Sequence, residues 1–133
     1  MTVGGELYIN RIETDVKLFS SRVDINSMTS VIKNHVAFLH LLSKSRKDQF
    51  TTLIKYMDKE QMKAVWELLV NIRFGNIDVD EEDKKKLHRK RKVIRKLTAK
   101  SSSQRDRREL MQKEACLVKY MINLAIPHVN SAD

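Results

Sequence analysis

Fourteen lysines and arginines stand between Lys84 and Lys113 against two carboxylates, Asp106 and Glu109, a local charge of +12 in a chain whose formal total is +9. The rest of the chain carries 12 basic and 15 acidic residues, so a nearly neutral body bears one cationic region. Ammonium and guanidinium groups at this density neutralise phosphates and release counterions, which gives salt-sensitive and largely sequence-independent affinity for a polyanion. A solvated helix face is the ordinary use of a lysine run. Fourteen basic residues in so short a block favour the polyanion instead. Base readout has no carrier here, because the Asn and Gln that pair with adenine are absent from Lys84 to Lys100. Aromatic residues make up 6% of the chain, too few for a platform that stacks single-stranded bases.

Other chemistries find less support. The four histidines, His35, His40, His88 and His128, are scattered, and a five-residue step on a helix sends His35 and His40 to different faces. His35 borders apolar positions and reads as a partly buried core residue. Cys116 lies in an apolar run without a positioned base and is expected to be a buried, inert thiol. A single cysteine excludes an internal disulfide framework and a cysteine-rich zinc site. The run Asp78, Asp80, Glu81, Glu82 and Asp83 lacks the glycine and alternation of a calcium loop and reads as a helix start. Trp66, beside Val65 and Leu69 in spacing, is core before it is a stacking platform. The expectation is a non-enzymatic protein with no catalytic residues, no metal and no cofactor.

The elements that must position these groups are helices. Three glycines and one proline are too few for the frequent turns of sandwiches and barrels, or for glycine-rich phosphate loops. Residues 1–26 are weakly periodic and read as a less ordered arm, with Leu7, Tyr8, Ile9 and Ile12 as a short strand or turn and Val16, Leu18 and Phe19 as a short helix. Ser27 or Ser30 caps a first helix carrying Val31, Ile32, His35, Val36, Phe38, Leu39 and Leu42 at helical spacing. Ser43 to Arg46 is a break, and Phe50, Leu53, Ile54 and Met57 mark a second helix. Asp58 and Gln61 form a capping box for a third, whose stripe is Met62, Val65, Trp66, Leu69 and Val70, and Gly75 stops it.

Asp80 caps the fourth helix, 81–97, the basic one. At the helical repeat its apolar side is Leu87, Val93, Ile94 and Leu97, and its basic arc holds Lys84, Lys85, His88, Arg89, Arg91, Lys92, Arg95 and Lys96. Lys86 and Lys90 fall at the stripe edge, where long stems snorkel. This element docks on one side and offers cations on the other. Thr98 to Ser103 is a linker, and Ser102 or Ser103 caps a fifth helix. That helix starts basic at Arg105, Arg107 and Arg108, becomes apolar from Leu110 to Ile126, and ends at Pro127. The longest apolar stretch, Val118 to Ile126, is interrupted by Lys119 and Asn123 and is too short for a membrane span. No charged-then-apolar leader is seen, so secretion is not expected. Lys84-Lys85-Lys86 and Arg89-Lys90-Arg91-Lys92 also fit a nuclear import signal.

From Asn71 to Lys113 the chain resembles a small basic protein of polinton and adintovirus-type elements. The matching features are Asn71, Gly75-Asn76-Ile77, Lys85-Lys86-Leu87, Ile94-Arg95-Lys96-Leu97, Ser103, and Arg107-Arg108-Glu109-Leu110-Met111-Gln112-Lys113. These proteins are similar in placement and charge to adenovirus-type core proteins, which condense viral DNA. The resemblance implies a DNA-associated virion or element-encoded protein of the nucleus. The family continues with Gly-Gly-Phe-Leu, whereas this chain has Glu114-Ala115-Cys116-Leu117, so a flexible joint is lost and helix five is expected to run unbroken.

The combined expectation is an all-α, compact bundle of about five helices, with an arm at 1–26, one domain at 27–129 and a tail at 130–133. Its basic helix 81–97, supported by Arg105, Arg107 and Arg108, grips the phosphate backbone of DNA, or of RNA. The alternative is a protein-interaction module or homo-oligomer using the apolar helix 110–126 through Leu117, Val118, Met121 and Ile122, although completion of the core is the favoured use of that face. A membrane-surface helix is weaker still, because the basic and apolar stretches follow one another rather than oppose.

Overall fold

Local capping sets three helix starts and the end of the longest inner helix. In a computed structural model, which describes residues 30–131, the chain forms α1 (Ser30–Asn34), α2 (Val36–Lys44), α3 (Lys47–Tyr56), α4 (Lys59–Arg73), α5 (Glu81–Arg89), α6 (Arg91–Leu97), α7 (Gln104–Lys113) and α8 (Ala115–Ser131). The expected arm, the Ser27 cap and the end of the tail lie outside the described residues. Asp58 and Gln61 make the reciprocal capping box: the Gln61 N–H donates to Asp58 Oδ1 at 2.8 Å, and the Asp58 N–H donates to Gln61 Oε1 at 3.0 Å. Asp80 accepts from the Asp83 N–H at 2.9 Å, and Ser103 accepts from the Asp106 N–H at 3.1 Å.

At the far end of α4, Gly75 adopts φ +78°, the left-handed conformation that terminates a helix. Its N–H donates to the Ile72 carbonyl at 3.2 Å, and the Asn76 N–H donates to the Asn71 carbonyl at 2.9 Å. Asn71, buried, fixes the motif from beneath: its amide donates to the Glu67 carbonyl, and its side-chain oxygen accepts from Asn76 Nδ2. The chain then turns towards Asp80 over the buried anchor Ile77.

The described residues are all-helical, with eight helices where about five were expected. Three expected helices are each divided by one residue: His35 (φ −121°, ψ 24°), Lys90 (φ −105°, ψ 18°) and Glu114 (φ −105°, ψ 38°). Non-glycine residues adopt this backbone region without the left-handed penalty, so no glycine or proline announces the break. Side chains enter two of the ladders, a recognised cause of kinks. His35 Nδ1 lies 2.8 Å from the Val31 carbonyl, and Arg91 Nη1 donates to the His88 carbonyl at 3.0 Å. Helix five is therefore not unbroken, because Glu114 replaces the expected continuity with a joint. Pro127 does not end α8, which runs on to Ser131 into the expected tail. The buried Val129 anchors that last turn to the core.

The core is organised around α4, whose Met62, Ala64, Val65, Leu68, Leu69, Val70 and Ile72 are all buried. So wide an arc marks a central helix rather than a surface one. Trp66, expected in the stripe, is half-buried. Across from α4 lies α8, packed on α2, α4 and α3. From the third side come Leu87 of α5 and Ile94 and Leu97 of α6, all buried, with Val93 partly so. Each such side chain contributes roughly 1.5–3 kcal/mol. Like charges one helical turn apart, such as Lys85 and Arg89 or Lys92 and Lys96, cost about 0.2–0.5 kcal/mol per pair. Docking therefore outweighs repulsion, and the basic segment is held on the body.

Candidate nucleic-acid interface

Because Leu87, Ile94 and Leu97 face the core, the cations between them are turned outward. Lys85, Arg89, Lys92 and Lys96 are exposed, as are Lys86 and Lys90. Lys84, His88, Arg91 and Arg95 are half-buried. Lys84 pairs with Glu81 at 3.6 Å, while Arg91 turns back to His88, donating to its carbonyl and lying 3.3 Å from its Nε2. The acidic first turn and basic last turn of α5 both suit the helix dipole. The break at Lys90 corrects the single-helix arc. It gathers Arg89, Lys90, Arg91 and Lys92 around one hollow of about 390 Å³.

Three arginines of α7, expected to support the interface, part company. Arg105 is exposed and pairs with Glu109 at 3.5 Å. Arg107 points inward, donating to the Ala99 carbonyl at 2.8 Å with its guanidinium 4.9 Å from the Trp66 ring centroid. Burial lowers its pKa from the usual arginine value. Arg108 Nη1 donates to the carbonyls of Ile54, Lys55 and Met57 at 2.8, 3.2 and 2.8 Å. Those carbonyls lie at the C-terminal end of α3, where intrahelical partners run out; the Ile54 carbonyl also accepts from the Met57 N–H at 3.4 Å. Arg107 and Arg108 thus spend their donors on the protein's own backbone. Replacing Arg108 with Ala is expected to cost about 1–3 kcal/mol of stability, through the loss of charge-assisted hydrogen bonds to partly buried and exposed carbonyls. The slope of nucleic-acid affinity against salt should not change. Urea unfolding and a salt titration check the two halves separately.

A second concavity was not legible in the sequence. Beside the end of α5, an open cleft of about 440 Å³ is bounded by Lys86, Arg89 and Lys90, by Lys47 at the start of α3, and by Lys113 at the end of α7. Glu114 supplies the single carboxylate of its lining, and Cys116, Leu117 and Tyr120 of α8 supply the rest. Tyr120 is held by a hydrogen bond from its hydroxyl to Asp83 Oδ1, and the Lys86 ammonium sits 5.8 Å from its ring centroid. Desolvation first, then Asp83 and Asp80, raise the Tyr120 pKa, so the phenol stays protonated. The edge positions of Lys86 and Lys90 were a partial signal. Lys47 and Lys113 carried none, since they are remote in sequence.

Two other expectations are corrected here. Val118, Met121 and Ile122, the alternative partner face, are fully buried, because the apolar stripe of α8 closes the core against α2 and α4. Leu117 is half-buried and lines the cleft instead. Cys116 is exposed rather than buried, since the joint at Glu114 sets Ala115 and Val118 inward and leaves position 116 outside. His35 is half-buried, its ring engaged with the Val31 carbonyl. Among the described residues no cluster of His, Cys, Asp and Glu is arranged to hold a metal ion, and no helix is long and apolar enough to cross a membrane. Comparison of the chain with protein-family models, curated proteins and solved structures finds no match.

Proposed function

We propose that this protein is a non-enzymatic, largely sequence-independent nucleic-acid-binding protein, acting on DNA in preference to RNA. The observation that carries the reading is the exposed set Lys85, Arg89, Lys90, Lys92 and Lys96 on two helices whose apolar sides are buried. Cations held on a docked scaffold meet a phosphate backbone with less loss of freedom than cations on a loose chain. The resemblance to the small basic proteins of polinton and adintovirus-type elements supports a DNA-condensing role in a nucleus or virion. The broken basic segment suits backbone gripping better than insertion of one long recognition helix into a groove.

The test is affinity against ionic strength, with duplex DNA and RNA in competition. Contact with about five or six phosphates gives a log–log slope near −4 to −6. A flat plot removes the reading, and preference for RNA over DNA reassigns the polymer.

A further inference from the structure

We infer that the cleft between α5, α7 and α8 binds a nucleoside carrying a terminal phosphate, the chemistry of a strand end or of a free nucleotide. The inference rests on the nucleic-acid reading for its physiological ligand and shares Arg89 and Lys90 with it, whereas Lys47, Lys113, Leu117 and Tyr120 belong to the cleft alone. Five cations, Lys47, Lys86, Arg89, Lys90 and Lys113, converge on a space of about 440 Å³ that holds one carboxylate, Glu114. They arrive from three separate stretches of chain, and none of them is in an ion pair with the described residues. Their mutual repulsion is relieved by an anion rather than by the protein's own carboxylates.

Size and lining narrow the class. The volume lies at the lower end of small-molecule sites, enough for a nucleotide-sized group, whereas a duplex is too wide to enter and can only lie across the rim. A phosphomonoester carries close to two negative charges near pH 7, while each internal diester carries one, so a cationic pocket favours the terminal group. Leu117 and Tyr120 add an apolar and aromatic wall of the kind on which a base rests. Tyr120 is braced by Asp83 and Lys86, so this wall is set before any ligand arrives.

The experiment is fluorescence anisotropy on the full chain with one single-stranded oligonucleotide in three forms: 5′-phosphorylated, 3′-phosphorylated and unphosphorylated. A nucleoside 5′-monophosphate serves as competitor. At least one phosphorylated form is expected to bind about tenfold more tightly than the unphosphorylated strand, as suits added charge-assisted hydrogen bonds. The double variant Lys47→Gln, Lys113→Gln lies outside the basic helices, at exposed positions. It should abolish that preference and leave unphosphorylated binding within about twofold. An unchanged circular dichroism spectrum verifies its fold. Competition by the mononucleotide assigns the cleft to free nucleotide, and its absence assigns it to strand ends. Equal affinity for all three strands without competition overturns the inference while the nucleic-acid reading stands. Binding of the mononucleotide with no binding of any strand or duplex does the reverse.

Discussion

A variant in which Lys85, Lys92 and Lys96 are replaced by glutamate is expected to lose retention on duplex DNA at physiological ionic strength, with its helical content unchanged. Each change removes a cation and adds an anion at an exposed position, so the region keeps about half of its excess charge. If these three lysines each meet a phosphate, the salt slope falls by about three, and affinity drops on the order of a hundredfold or more. Lysine and glutamate have similar helix propensities, and neither α5 nor α6 relies on these side chains for burial. None of the three lines the cleft beside Tyr120, so the effect is separable from recognition of a strand end. Electrophoretic retention and a salt titration read the outcome. Undiminished retention would place the contact elsewhere on the surface.

The second large effect concerns stability. Ile122→Ala should cost about 2–5 kcal/mol, because the side chain is fully buried in the core and its removal leaves a cavity. That is a large fraction of the roughly 5–15 kcal/mol that stabilises a typical domain. The same substitution on an exposed partner face would fall within about 0.5 kcal/mol. Urea unfolding followed by circular dichroism distinguishes the two. Sedimentation of the folded variant should match that of the parent chain at every concentration, since no interface is removed.

What was legible in the sequence was what is decided within a few residues. The Asp58–Gln61 box, the Asp80 and Ser103 caps and the Gly75 stop depend on spacings of three to five residues, and each appears as expected. The breaks at His35, Lys90 and Glu114 were illegible because their backbone region needs no special residue type. In α7 the three arginines were indistinguishable by type. Arg108 caps α3, a helix more than fifty positions away, and only the packing of α7 on α3 brings those carbonyls within reach. The cleft was hidden for the same reason, since Lys47 and Lys113 become neighbours only when α3 and α7 meet.

The sequence by itself determined the helical class, the capped helix starts and the Gly75 stop, and that the positive charge concentrates in one stretch. These follow from short-range hydrogen bonding, periodicity and residue type. Tertiary structure decided which cations face water and which cap the protein's own carbonyls, and it turned Val118, Met121 and Ile122 into core. Long side chains are recruited by whatever unsatisfied groups the packed helices bring near them, and that neighbourhood exists only after the chain has folded.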